Sequence, residues 1–269
     1  MRTIKLTLAY DGTRYVGWQR QAAGTSIQGL VEAAVAEIEE EHVPVAGAGR
    51  TDAGVHALGQ VASLQFRHGM PPATLVLALN ARLPEDVRVL DAEEADPGFH
   101  ARYSAKAKTY RYRLATGHLA DPFGWRYAWR VRTPLDAEAM REAAVALVGS
   151  HDFASFQAAG SAVATTTRTV RDARVRSAPA GEGPPWGALA LRAPVLHVEI
   201  TADGFLRHMV RTIVGTLVEV GQGRRPVSGL AEAIAARDRA SAGPTAPAQG
   251  LFLVDVDYGT GEPRRAAAP

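Results

Sequence analysis

Gly49-Arg50-Thr51-Asp52-Ala53-Gly54-Val55-His56-Ala57 lies between two apolar runs, Val43 to Ala48 and Val55 to Phe66. Apolar runs separated by Gly and Asp read as strand, turn, strand. Glycine accepts a positive φ and aspartate bonds back to its own backbone, so an ordinary turn would account for Gly49, Asp52 and Gly54. It would not account for Arg50 and His56 around a carboxylate on a turn that a sheet holds rigid. Loops on a rigid scaffold are where chemistry concentrates. Two readings of Asp52 therefore stand side by side, a turn residue and a catalytic carboxylate.

On the N-terminal side, Ile4, Leu6, Leu8 and Tyr10 alternate with Lys5, Thr7 and Ala9, the pattern of a half-buried strand that Asp11-Gly12 ends. Tyr15-Val16-Gly17-Trp18-Gln19 follows as a loop, with Trp18 read as packing. Thr25-Ser26-Ile27-Gln28 reads as a capping box, Thr25 the N-cap and Gln28 reaching back. Ile27, Leu30, Val31, Ala34, Val35 and Ile38 then share one helical face, and Glu39-Glu40-Glu41 reads as solvated surface. Beyond Phe66, Pro71-Pro72 open a helix whose apolar side is Leu75, Leu79 and Leu83, and a strand follows from Val87 to Leu90. Strand, helix, strand, strand, helix, strand fits an antiparallel or mixed α+β sheet with helices on one face.

The second half opens after Phe99-His100-Ala101-Arg102-Tyr103-Ser104-Ala105, a segment crossing between two halves. In the strand from Lys106 to Leu114, period two puts Lys106, Lys108, Tyr110, Tyr112 and Leu114 on one face and Thr109, Arg111 and Arg113 on the other. Aromatics interleaved with cations suit stacked bases and their phosphates; the plainer reading is Tyr on a core and Arg in water. Asp121 to Gly124 reads as loop, Leu135 to Val148 as a helix with Met140, Ala144 and Leu147 inward, and Phe153 and Phe156 as core. His151 is a cap or surface residue, since a Ser, a His and an Asp close in sequence are not a triad without convergence in space. Thr166 to Val175 and Leu189 to Ile200 read as strands around an exposed Pro/Gly-rich loop, Pro179 to Gly187. A helix is expected from Ala202 to about Val220, with Phe205, Met209, Ile213, Leu217 and Val220 on its core face and Arg207 and Arg211 on another. Arginines in a helix's first turns oppose its dipole, a placement that makes sense beside an anion and is also tolerated at small cost in water. A short helix from Leu230 to Ala236, a loop from Ser241 to Gln249, a strand region from Leu251 to Tyr258 and a frayed tail from Gly259 to Pro269 complete the chain.

The 269 residues suffice for a sizeable core, and 46% hydrophobic with 22% charged residues is ordinary for a globular protein. Zero Cys excludes disulfides, a thiolate nucleophile and Cys-ligated metal sites. No apolar run is long enough to cross a membrane, and the N-terminal residues enter a strand pattern rather than an apolar signal region, so a cytoplasmic location is expected. Net charge is only +2, but basic residues crowd 101–132, where Asp121 is the single acid, and recur at Arg168, Arg171, Arg174, Arg176 and at Arg207, Arg211, Arg224, Arg225. Such clusters suit a polyanion on one surface or, equally, solvated strand faces.

The nine residues around Asp52 resemble the active-site signature of the tRNA pseudouridine synthases of the TruA family. The similarity runs from about Lys5 to Tyr258. It takes in Tyr15-Val16-Gly17-Trp18-Gln19, Phe99-His100-Ala101-Arg102, Lys108-Thr109-Tyr110-Arg111-Tyr112, Phe205-Leu206-Arg207-His208-Met209-Val210-Arg211 and Ala246-Pro247-Ala248-Gln249-Gly250-Leu251, in family order and spacing. One departure stands at Thr212, where the family motif has Asn after its Arg.

The resemblance implies a pseudouridine-synthase fold of class α+β. Two α/β halves, residues 1–104 and 105–258, share a central, mainly antiparallel sheet with helices on the outer face and a basic cleft; residues 259–269 are tail. It implies a homodimer that isomerises uridine to pseudouridine at positions 38 to 40 of the tRNA anticodon arm, with no cofactor and no metal. His56 and His68 are too few for a metal site. The site residues it implies are Asp52 as nucleophile, Tyr110 covering the uracil and able to take its C5 proton, and Arg211 paired with Asp52. Arg50, Lys108 and Arg207 bind RNA, Arg50 by displacing the target nucleotide. Two rivals are a non-catalytic RNA-binding protein using the same basic cleft and an Asp-dependent hydrolase. The first is disfavoured by Asp52, Tyr110 and Arg211 occurring together. The second would want a second carboxylate or a metal cluster near Asp52, for which there is no motif.

Overall fold

The computed structural model of the chain describes residues 1–117, 122, 124–160, 163–178 and 195–259. The expected loop at Pro179 to Gly187, the start of the strand read from Leu189, and the tail beyond Gly259 lie outside the described residues, as do Asp121 and Phe123 of the loop before Gly124. The chain divides into two compact units, one formed by Met1–Lys108 with the strand from Phe252 and the other by Thr109–Leu251.

In the first unit, β1 (Arg2–Tyr10) runs antiparallel to β3 (His56–Phe66) on one side and to β4 (Val87–Ala95) on the other. A two-residue β2 (Ala46–Gly47) also pairs antiparallel with β3, and the C-terminal β10 (Leu251–Asp257) pairs parallel with it at His56 and Ala57. Period two decides the core: Ile4, Leu6 and Leu8 face Leu64, Ala62 and Gln60 across the β1–β3 ladder, and all six are buried. The expected strand from Val43 to Ala48 enters the ladder only at β2, but Val43, Val45 and Ala48 are buried.

Helix α1 (Ile27–Glu39) carries the expected apolar face, with Ile27, Val31, Ala34 and Val35 buried. Its N-cap is Ser26 rather than Thr25, the Ser26 hydroxyl accepting from the Gly29 amide. Gln28 does not reach back. Its Nε2 donates to Val45 O at 3.0 Å and its Oε1 accepts from the Arg20 amide, because the chain returning toward β2 offers a main-chain partner that an isolated helix lacks. Glu39 is not free surface either: its carboxylate accepts the amides of Arg67 and His68 and ties the end of β3 to α1. Helix α2 (Pro72–Asn80) starts after Pro71 and buries Leu75 and Leu79, with Leu83 just beyond it.

In the second unit the sheet order is β5 (Ala107–Thr116), β9 (Val195–Ala202), β8 (Thr167–Ser177), β7 (Gly149–Asp152), with β6 (Trp129–Val131) parallel to β5. β7, β8 and β9 pair antiparallel. On β5 Tyr110, Tyr112 and Leu114 are buried while Arg111 and Arg113 are only partly covered, the alternation the sequence shows. Helix α3 (Ala137–Ala144) is capped by Asp136, which accepts from the Glu138 and Ala139 amides, and is shorter than the segment from Leu135 to Val148. Met140, Ala144, Leu147, Phe153 and Phe156 are buried as expected.

Helix α4 (Met209–Gly221) begins seven residues later than the periodicity suggests. β9 runs on to Ala202, residues 203–208 form a turn, and His208 sits at the helix start with φ +64°. Arg207 therefore precedes the helix and Arg211 alone occupies its first turn. Met209, Ile213, Leu217 and Val220 are buried, but so are Val210, Thr212, Val214, Thr216 and Val218, so α4 is covered on nearly every side. Helix α5 (Gly229–Ala236) follows and touches both α3 and α4.

Candidate active site

The Asp52 loop is held from two directions within the first unit. The first is the main chain of the Tyr15–Trp18 loop. The Trp18 amide donates to Thr51 O at 3.0 Å, and the Gly54 amide donates to Tyr15 O at 3.3 Å. The Val55 amide donates to Asp52 O at 3.1 Å and closes the turn. So close an approach needs glycine at position 17, which has φ +102° and where a Cβ would stand 2.4 Å from Thr51 O. Trp18 is buried against Tyr10 and reads correctly as packing.

The second direction is from buried side chains. Tyr10 Oη lies 2.8 Å from Thr51 Oγ1, and burial pushes the Tyr10 hydroxyl up to about 12, so it stays protonated. Gln60 Nε2 donates to Gly49 O at 2.8 Å and to Tyr10 Oη at 3.3 Å, while its Oε1 accepts from the Gly49 amide at 3.4 Å. Further back, Asp86 accepts from Arg14 Nε and Nη2 and from Tyr15 Oη at 2.5 Å. Those hydrogen bonds and the Arg14 charge outweigh its partial burial and hold the Asp86 carboxyl below the usual range. His56, fully buried, has Nδ1 3.1 Å from the Gly12 amide nitrogen and 3.0 Å from Asp11 Oδ1, and stacks on Phe252 at 4.7 Å. It buttresses the base of the loop. Along the loop Arg50 is exposed, Thr51 buried and Asp52 half-buried.

The second unit holds Tyr110, Arg207 and Arg211. Tyr110 is buried on β5 with its ring edge-on to Phe205, centroids 5.0 Å apart, and Phe205 lies in the turn that precedes α4. Arg211 Nε donates to Ala246 O at 2.7 Å and Arg211 O accepts from the Ala246 amide at 3.0 Å, which aligns the guanidinium along a strap of chain over α4. Thr212 is fully buried, its hydroxyl 3.4 Å from that of Thr245. Tyr112, one pleat beyond Tyr110, donates to Pro247 O at 2.7 Å, and its burial raises its pKa well above that of a free tyrosine. Arg207 is exposed, and Lys108, at the last position of the first unit, is half-exposed.

Part of the basic clustering has an internal use. Arg111 and Arg176 both donate to Glu199, Arg174 pairs with Asp172, and Arg225 pairs with Glu219. These cations are neither solvated strand faces nor free for a polyanion: they are tied to neighbouring carboxylates by ion pairs. Tyr10, Gln60 and Asp86 support the loop, and pattern reading did not single them out for it. One signal was present: Gln60 interrupts an otherwise apolar row of β3.

The model of the tRNA pseudouridine synthase family matches residues 7–104 and 143–259. The chain is 47% identical over 260 residues to the tRNA pseudouridine synthase A of Moorella thermoacetica, covering 96% of this chain and 100% of the relative. It is 46% identical to that of Myxococcus xanthus over 98% of this chain and 95% of the relative, and 46% identical to that of Geobacter sulfurreducens over 96% and 100%. The chain belongs to the tRNA pseudouridine synthase family. The α+β architecture of mainly antiparallel sheets expected of a pseudouridine synthase is the one observed, and the matched stretches include both the Asp52 loop and the start of α4.

Proposed function

We propose that this chain isomerises uridine to pseudouridine at positions 38 to 40 of the tRNA anticodon arm, with Asp52 as the catalytic carboxylate. The observation that carries the reading is the Asp52 loop itself. It bears the family signature and is clamped on both sides by buried groups, yet leaves Arg50 exposed at its edge.

The reaction breaks the bond from ribose C1′ to uracil N1, turns the base and joins C1′ to C5. N1 gains the proton that C5 loses, so nothing is oxidised or added. An ionised carboxylate can enter at C1′, at C6, or by taking a ribose proton, and each route needs one carboxylate. A hydrolytic glycosidase needs a second to activate water, whereas an isomerase must keep water off the intermediate. Arg211 pairs with Asp52. Tyr110 covers the uracil and accepts the C5 proton. Arg50 displaces the target nucleotide from its stack, and Lys108 and Arg207 take backbone phosphates. The halves at residues 1–104 and 105–258 contribute to one basic cleft, and the enzyme works in the cytoplasm as a homodimer.

The test is direct. An unmodified tRNA transcript is incubated with the protein alone and pseudouridine is mapped at single-nucleotide resolution. Conversion at one or more of positions 38 to 40 is expected. Conversion confined to another arm would refute the assigned position, and none at all would refute the activity.

A further inference from the structure

Gln60 is a fully buried polar side chain in a row that is otherwise apolar. On β3, Phe66, Leu64, Ala62 and Gln60 share one face of the sheet, in register with Arg2, Ile4, Leu6 and Leu8 of β1. A leucine at position 60 would continue that row and bury apolar surface that an amide does not. The amide is instead used in full on the loop. Its oxygen and nitrogen meet the N–H and C=O of Gly49, as a neighbouring strand's peptide would, and its nitrogen also reaches the Tyr10 hydroxyl. The pairing of β1 with β3 shifts between Leu8 and Tyr10, and Tyr10 stands next along the strand on the Leu8 face, beside Gln60. From there Tyr10 bonds Thr51, the residue before Asp52. The main chain at Gly49 and the side chain at Thr51 are thus fixed by one connected set of buried groups on either side of Arg50.

We infer that Gln60 is a positioning residue: through Gly49 directly and through Tyr10 and Thr51, it sets where the Asp52 carboxylate and the Arg50 side chain stand. This rests on Asp52 being the catalytic carboxylate. Removing the amide leaves the Gly49 N–H and C=O to find water by moving, and a shift of about 1 Å at a reacting group costs on the order of 100-fold in rate. Binding of tRNA draws on phosphate contacts spread over the surface and is insensitive to such a shift.

The experiment compares Gln60→Leu, Tyr10→Phe and Asp52→Asn with the parent. It measures the single-turnover rate at saturating tRNA, the tRNA dissociation constant, and far-UV circular dichroism as a check of folding. Gln60→Leu is expected to lower the rate about 100-fold and Tyr10→Phe about 10-fold, with the dissociation constant within about 3-fold of the parent. Folded variants reacting within about 3-fold of the parent overturn the positioning role, as does a loss of affinity as large as the loss of rate. Tyr10→Phe removes one hydroxyl and keeps the ring, so if Gln60→Leu does not fold, Tyr10→Phe decides on the same criteria. A fully active Asp52→Asn would remove the catalytic reading itself, whereas an inactive Asp52→Asn beside a fully active Gln60→Leu removes only the positioning role.

Discussion

His197 sits on β9, fully buried, on the same face as Glu199 and Thr201. Burial first, then the charges of Arg111, Arg113 and Arg176, push its imidazole down to about 3; Glu199 opposes them but does not prevail. Hence His197 is neutral in the folded protein at neutral pH, while in the unfolded chain it titrates near its ordinary 6.5. Between pH 6.5 and about 3 the unfolded chain binds a proton that the folded one refuses. The stability this group protects is whole above that window and is lost as pH falls through it. Urea unfolding at pH 7 and pH 5 should show a fall that His197→Gln makes shallower by up to one proton's worth of slope, about 1.4 kcal/mol per pH unit. An unchanged slope in the variant would show that His197 is not held neutral. Asp86 and Glu199, whose carboxyls are held low by their arginine and tyrosine partners against the cost of burial, keep their contribution at pH 5 and begin to lose it only as pH falls through their ordinary values of 3.8 and 4.5, so their window overlaps only the acid end of that of His197.

At the scale of elements, α4 shows what close packing demands. The strap Gly243–Pro247 lies on the helix, with the Gly243 amide donating to Thr216 Oγ1 and Arg211 bonded twice to Ala246. Gly215 permits this, since a Cβ there would stand 1.7 Å from Pro244 O. In an exposed helix Gly→Ala stabilises by about 1 kcal/mol. Here Gly215→Ala must displace the strap, and a destabilisation of about 1–3 kcal/mol in urea unfolding is expected. A variant as stable as the parent would mean that the strap yields freely. The sequence shows this helix's core face well, because Met209, Ile213, Leu217 and Val220 repeat at 3.6 residues. Its start is hidden: Phe205 and Arg207 keep the helical spacing by coincidence while the chain is still turning, and the left-handed His208 carries no sequence mark. The N-cap of α1 is blurred for a related reason. Thr25 and Ser26 can both cap, and Gln28 is claimed by Val45, seventeen residues away. The Asp52 loop was legible as a strand-flanked turn. The groups that hold it were not, because Tyr10 and Gln60 bond it from 41 and 11 residues away, and Asp86 holds Tyr15 of the neighbouring loop from 71 residues away.

At the scale of the whole molecule, the chain from Phe252 joins the unit that begins at Met1, and β10 pairs with β3 at His56, at the foot of the Asp52 loop. A parallel pairing between strands so far apart in sequence leaves no local pattern. The apolar run Leu251 to Val254 with Val256 announces a strand but not its partner. Charge was the weakest guide: with a net charge of +2, the clusters mattered more than the total, and several of their arginines are tied to Glu199, Asp172 and Glu219. The fold class followed from periodicity and the functional reading from nine residues around one carboxylate. The measurement that tests that reading most directly is single-turnover pseudouridine formation by Asp52→Asn on an unmodified tRNA transcript, with tRNA binding measured on the same preparation. No detectable pseudouridine is expected, with binding within about 3-fold of the parent; conversion at near the parental rate would contradict the role of Asp52.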